Sequence, residues 1–241
     1  MKWIYLSPHL DDAVYSCGSM IYQQVQDGQP VEIWTIFAGD PTQKPFSSFA
    51  NDIHARWGTG DNSIAARRQE DQNACAFLGA QPRYFDFLDV IYRTDPVTGQ
   101  AEIVENADLF RNYHSADLIL QHAISQQLVA LLNKLNDYKI CIPLALGHHI
   151  DHTLVRKAAE ALILPVPLRY YADFPYVLEA DVETEGRIEE SYAIHPQSLK
   201  AWGEAIALYP SQISTFWQTE NQMREALTFY WQKGGGSRLW F

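Results

Sequence analysis

Trp3-Ile4-Tyr5-Leu6-Ser7-Pro8-His9-Leu10-Asp11-Asp12 is an apolar run that breaks into a polar turn and opens an amphipathic stretch. Beyond Asp11 the residues Val14, Cys17, Ile21 and Val25 recur at helical spacing, and the pattern ends near Gly28. The segment therefore reads as a strand over 4–7, a loop, and a helix. Such strand-to-helix loops are where α/β folds place their chemistry. A second example lies far downstream, where Ile140-Cys141-Ile142-Pro143 leads through His148-His149-Ile150-Asp151-His152 into a helix expected over 153–164.

Working outward, Val31 to Phe37 is a near-continuous β-rich run, as expected of a strand buried on both faces. Residues 39–62 carry Gly39, Pro41, Pro45, Gly58 and Gly60 and read as a long loop, a lid or binding loop that is mobile when empty. Ser63 is the expected N-cap of a helix with Ala66, Ala74, Phe77 and Leu78 on one face and Gly79 at its end. A short strand follows over 83–87. Residues 92–117 form an excursion with a turn at 95–99, and a helix over 119–135 points Leu128, Leu131, Leu132 and Leu135 inward. The remainder reads as Leu168-Arg169-Tyr170-Tyr171, a strand over 187–194, helices near 197–208 and 219–232, and the end Arg238-Leu239-Trp240-Phe241.

Strand and helix alternate up to about residue 165, which argues a mostly parallel sheet with right-handed crossovers. No internal repeat, low-complexity tract or linker divides the chain. One domain over 1–241 is expected, a Rossmann-like three-layer α/β/α fold whose part from about 168 completes the pocket. The fingerprint G-x-G-x-x-G is missing after the first strand, where Pro8-His9-Leu10-Asp11 stands instead, so a dinucleotide site is disfavoured.

Composition narrows the function classes. The 241 residues are 47% hydrophobic, enough to bury a sizeable core. A net charge of -11 with no run of Lys or Arg argues against nucleic acid and anionic surfaces as partners. Cys17, Cys75 and Cys141 sit in apolar contexts without paired spacing and read as reduced, buried thiols, hence a cytoplasmic protein. The chain reaches Pro8-His9 too soon for a signal peptide, and no apolar run approaches the ~20 residues of a membrane span. An oligomer is compatible with the sequence but not readable from it.

Metal ligation needs neutral imidazoles and ionised carboxylates converging on one point. His9 and Asp12, three apart at a first helical turn, can face one pocket, and His152 can supply a third ligand from the other loop. Two ligands close in sequence and one distant is the layout of a catalytic metal site. Such a His₂Asp set suits Zn²⁺, and also Fe²⁺ or Mn²⁺. Spacing alone leaves a second reading open, in which His9 is a loop histidine and Asp11 or Asp12 caps the helix.

The segment Pro8-His9-Leu10-Asp11-Asp12, paired with His149-Ile150-Asp151-His152, resembles the P-H-x-D-D and H-x-D-H motifs of the PIG-L/LmbE family of metal-dependent N-acetylglucosaminyl deacetylases. Arg67-Arg68-Gln69-Glu70 leading to Leu78-Gly79 is similar to that family's R-x-x-E…L-G helix. A weaker match is Tyr171-Ala172-Asp173-Phe174-Pro175-Tyr176 with Tyr209-Pro210-Ser211-Gln212. The resemblance covers about residues 1–215. Ala13 stands where many members have Glu, a residue that is not a family ligand, so ligation is untouched and the sub-family stays open.

The resemblance implies that His9, Asp12 and His152 bind the metal and that Asp11 is the general base. It also implies that His149 polarises the carbonyl or protonates the leaving group, paired with Asp151. An adjacent carboxylate is expected to raise the pKa of His149. Arg67 holds a sugar hydroxyl or phosphate on the family reading, or pairs with Asp71 on the surface at i,i+4. Asp89 touches substrate or caps a loop. His148 falls out of the H-x-D-H phase and is not expected to ligate. His54, His114, His122 and His195 read as surface or core. Trp57 is a candidate for stacking on a sugar ring, while Trp34, Trp202, Trp217, Trp231 and Trp240 read as core.

The expected function is zinc-dependent removal of an N-acetyl group from an N-acetylglucosamine-type sugar or glycoconjugate. One alternative is a catalytically silent sugar-binding protein of the same fold, which would not need Asp11 and His149. Another is a metallohydrolase of other small amides.

Overall fold

A computed structural model describes residues 1–42, 44–95, 97–180, 182 and 186–241. Five parallel strands form the centre of the sheet: β1 (Lys2–Ser7), β2 (Val31–Thr35), β3 (Gln81–Tyr84), β4 (Tyr138–Pro143) and β5 (Leu168–Tyr171). Two short antiparallel strands, β6 (Glu189–Ser191) and β7 (Arg238–Trp240), extend one edge. The spatial order is β3-β2-β1-β4-β5-β7-β6.

Side chains of a strand alternate between faces, and here the alternation selects two different helix layers. Ile4 and Leu6 of β1, with Ile140 and Ile142 of β4, pack on Ile124, Leu128 and Leu132 of α4 (Asp117–Leu132) and Leu154, Val155 and Ala158 of α5 (Ile150–Glu160). Trp3 and Tyr5, with Cys141, face the other way. They meet α1 (Asp12–Gln26), α3 (Ser63–Leu78), α6 (Pro196–Ala207) and α8 (Glu220–Gln232). The expected three-layer, mostly parallel fold is therefore present, and the three cysteines are free and buried. Among the described residues no helix is long and apolar enough to cross a membrane.

The chain winds from β1 out to β3, returns past β1 to β4, and continues to β5. The strand order thus reverses between β1 and β4. Open α/β sheets bind ligands in the crevice beyond the strand carboxyl ends at such a reversal. Both sequence motifs leave from those two strand ends.

Several expected boundaries move. The loop expected over 39–62, whose Gln43 lies outside the described residues, contains a helix, α2 (Ser48–Trp57). Ser47 caps it by accepting the Ala50 N–H, and Gly58 ends it at φ +67°. Asn62, not Ser63, precedes α3, because a 3₁₀ turn over Gly60–Asn62 runs straight into it. Helix α5 begins at Ile150 rather than 153, which puts Asp151 and His152 in its first turn. The strands expected over 83–87 and 187–194 are β3 and the three-residue β6. A short helix, α7 (Pro210–Phe216), has no counterpart in the sequence reading. The turn expected over 95–99 includes Pro96, outside the described residues; Asp95 accepts the Val97 and Thr98 N–H groups there.

Candidate active site

Ser7, the last residue of β1, accepts the Ala13 N–H through its hydroxyl (3.0 Å) and so caps α1 from outside. Asp11 occupies the N-cap position without any side-chain cap bond, which leaves its carboxylate available. Asp12 Oδ2 accepts the His9 N–H (2.7 Å) and lies 3.2 Å from His9 Nδ1 and 3.3 Å from His152 Nε2. The helix-cap reading of these carboxylates therefore fails.

His9, Asp12 and His152 offer three ligand atoms that all lie within 4.8 Å of one another. A tetrahedral ion with bonds of about 2.0–2.1 Å has ligand–ligand edges of roughly 3.3–3.4 Å. The two measured edges, 3.2 and 3.3 Å, fit that figure. The far nitrogens are held as ligand imidazoles usually are, by carboxylates. His152 Nδ1 is 2.7 Å from Asp173 Oδ1, and His9 Nε2 is 3.0 Å from Asp151 Oδ2. The donor set fits a divalent cation.

The electrostatics point the same way. Burial opposes the charged form of His9, but Asp89, Asp12 and Asp151 outweigh it and raise its pKa. Burial likewise opposes a charged His152, but Asp12 and Asp173 carry it up to about 10. Both shifts report surroundings that demand positive charge between these rings. Burial and the neighbouring Asp12 push Asp11 up to about 7, against the pull of Arg67. Asp12 moves down, because the two imidazoles outweigh its burial.

His149 and Asp151 do not form the expected acid pair. The Asp151 carboxylate is taken by His9, by the Val90 N–H (3.0 Å) and by Arg93 (2.7 Å). His149 Nδ1 instead accepts the Asp151 backbone N–H at 3.2 Å. An accepting Nδ1 leaves Nε2 to carry the proton of the neutral ring. Burial first, then the charges of His9 and His152, lower the pKa of His149 well below its usual value, the opposite of the expected rise. His9, His149 and Asp151 form a second close set of donors. It suits an ion less well, since Asp151 already serves three partners.

Arg67 is 3% exposed and stacks on Trp57 at 4.4 Å, between Asp11 (3.5 Å) and Asp89 (3.7 Å). It makes no surface pair with Asp71, which is itself buried and accepts the hydroxyls of Tyr84 and Tyr209. Asp89 caps the turn, one oxygen accepting the Ile91 N–H, while the other faces Arg67 and His9 at the cavity. His148 is exposed, outside the ligand cluster; His54 is buried against Tyr92, and His114, His122 and His195 are exposed.

These residues border a cavity of about 360 Å³. His9, Asp11, Asp12, Arg67, Asp89 and His149 line its floor, and Ile53, Trp57, Leu109, Phe110, Tyr176 and Phe216 line much of its wall. Asp173 and Arg93 were missed as site residues. Asp173 lay inside the quoted Tyr171–Tyr176 match, but nothing local marks Arg93.

The family model of PIG-L, GlcNAc-PI de-N-acetylase, matches residues 4–163, well over half of the chain. The chain belongs to the PIG-L family. Among curated proteins, 2'-N-acetylparomamine deacetylase of Niallia circulans is 28% identical over 72% of this chain and 67% of its own length. The Streptomyces fradiae protein of the same name is 26% identical over 81% of this chain and 65% of its own length. The chain thus spans about two thirds of these relatives. Among solved structures, the zinc-inhibited form of teicoplanin deacetylase superposes with a TM-score of 0.84 at 29% identity, covering 100% of this chain and 97% of that one. All of the PIG-L match precedes β5, so the walls supplied by Tyr176 and Phe216 lie outside it.

Proposed function

We propose that this PIG-L protein is a metal-dependent N-deacetylase that removes the acetyl group from an N-acetylglucosamine-type sugar bearing an apolar substituent. The observation that carries it is the His9–Asp12–His152 triangle with Asp11 beside it on the floor of the cavity. The names of its relatives, deacetylases of paromamine and teicoplanin compounds, support the same chemistry. Zinc is the proposed ion, and a cytoplasmic location is proposed with the support of three free, buried thiols. The whole chain is proposed to act as one domain.

His9, Asp12 and His152 would hold a divalent cation, which would supply Lewis-acid polarisation of the acetyl carbonyl and a more acidic water. Asp11, excluded from the ligand set and raised toward 7, accepts a proton from the attacking water as its oxygen bonds the acetyl carbon. His149, kept neutral, donates its Nε2–H to the carbonyl oxygen as charge develops there. When the C–N bond breaks, Asp11 returns its proton to the amine, and acetate and the free amino sugar leave. Arg67 holds Asp11 and Asp89 in place from the face of Trp57 and offers a donor to a sugar hydroxyl.

The substituent follows from the walls. About 360 Å³ is near the lower end of ligand sites, room for one sugar ring. Phe110 and Phe216 at the rim are 42% and 36% exposed, so whatever extends beyond the sugar meets aromatic surface. Acetate release from the metal-loaded protein, measured over free N-acetylglucosamine, its aryl and alkyl glycosides and simple N-acetylated amines, tests the reading. The highest kcat/KM should fall on aryl or alkyl glycosides. Binding without acetate release would favour the silent sugar-binding protein, and turnover confined to simple amides would favour the other metallohydrolase.

A further inference from the structure

A line of alternating charges runs inward from the surface of the 92–117 excursion. Asp117 takes both terminal nitrogens of Arg111 at 2.7 and 2.8 Å. Arg111 reaches Glu102 at 3.2 Å, and Glu102 lies 3.5 Å from Arg93 Nε. Arg93 spans the remaining distance: its Nη2 lies 2.7 Å from Asp151 Oδ1, its Nη1 donates to the Leu88 carbonyl at 3.1 Å, and its guanidinium packs over Phe37. Asp151 is fully buried and uses its other oxygen on His9 Nε2. The line therefore ends on a proposed metal ligand.

We propose that Arg93 is the positioning residue of the metal site: it fixes the Asp151 carboxylate so that His9 keeps its proton on Nε2 and presents a bare Nδ1. The proposal rests on His9 being a ligand. A buried carboxylate with no counter-charge is strongly unfavourable, and without Arg93 it turns toward another donor. That turn removes the acceptor that selects the His9 tautomer. Partners behind ligand imidazoles matter in this way, typically by 10–100-fold in metal affinity. The same side chain anchors the base of the excursion that carries Leu109 and Phe110 to the cavity wall. Metal retention and the substrate wall are thus tied to one guanidinium.

The test reads metal affinity directly, by competition of the apo-protein with a chromophoric chelator for Zn²⁺. Arg93→Met should weaken Zn²⁺ binding about 10–100-fold. Arg93→Lys, which keeps a cation near Asp151, should recover most of the loss. Glu102→Gln, one step further out, should stay within about threefold of the parent. If Arg93 works through Asp151, the Arg93→Met, Asp151→Asn double variant should bind Zn²⁺ as Asp151→Asn alone does. That comparison also stands in for Arg93→Met if the single variant does not fold, since both of its members lack the unpaired carboxylate. A folded Arg93→Met with parental Zn²⁺ affinity, or a double variant whose losses simply add, overturns the proposal. Loss of Zn²⁺ binding only in His9→Ala, with both Arg93 and Asp151 variants unaffected, would leave the metal site standing and remove Arg93 from it.

Discussion

Asp11 and Asp12 are chain neighbours in opposite electrostatic states. Burial and Asp12 push Asp11 up to about 7, while the imidazoles of His9 and His152 hold Asp12 down. Asp11→Asn should keep metal and lose kcat by about 10²–10⁴-fold, as expected when a proton-transferring group is removed. Asp12→Asn should lose metal affinity first; metal analysis beside kcat separates the two. Arg67 lowers the Asp11 pKa by its charge, and Asp11 must be ionised to accept a proton. Activity should therefore rise with pH through an acid limb, and Arg67→Met should move that limb to higher pH. A pH–kcat/KM profile of both proteins at equal metal content checks the direction. At this scale the ligand set was legible, because each member sits at a fixed offset within a short motif. The partner of Asp151 was not, since it comes from a loop remote in sequence.

At the scale of elements, helix α2 and the excursion both supply wall to the cavity, through Trp57 and Phe110. Phe110 meets His149 edge-on at 5.8 Å and Tyr176 at 6.4 Å. Phe110→Ala should lower kcat/KM for an aryl glycoside about tenfold relative to free N-acetylglucosamine, with metal content unchanged. Assaying the pair on one metal-loaded preparation measures the ratio. Helix α2 was hidden by the prolines before it and the glycines after it, although Phe49, Ile53 and Trp57 are spaced at four. Helix α7, only seven residues long, begins at Pro210 and repeats no apolar face long enough to read. Both helices pack on each other through Trp57 and Thr215, a contact no local pattern announces.

For the whole molecule, the site is an acidic knot in the core. Asp12, Asp89, Asp151 and Asp173 surround His9 and His152 with little exposure. Binding of a cation to the folded state alone should raise stability by about 2.7 kcal/mol at 100 times its Kd. Chelation should accordingly lower Tm, and re-addition of metal should restore it, in a thermal melt. Helix α1 against α6 is a second point of global constraint. A Cβ at Gly18 would stand 2.4 Å from the buried Trp202 ring, whose Nε1 donates to the Val14 carbonyl. Gly18→Ala should lose about 1–3 kcal/mol by overpacking, despite the better helix former; a denaturant titration reads it.

The sequence by itself determined the α/β class, the two strand-end loops and the residue types those loops carry. Hydrophobic period and motif spacing are local properties, and they survive without knowledge of neighbours. Tertiary structure alone decided that β1 and β4 lie side by side, which brings His152 to His9 and Asp12. It also assigned Asp151 to His9 rather than His149, buried Arg67, and turned the expected rise of the His149 pKa into a fall. These outcomes depend on burial and on charges from distant segments, and a pKa or an ion pair is set by everything within a few ångströms, whatever its place in the chain.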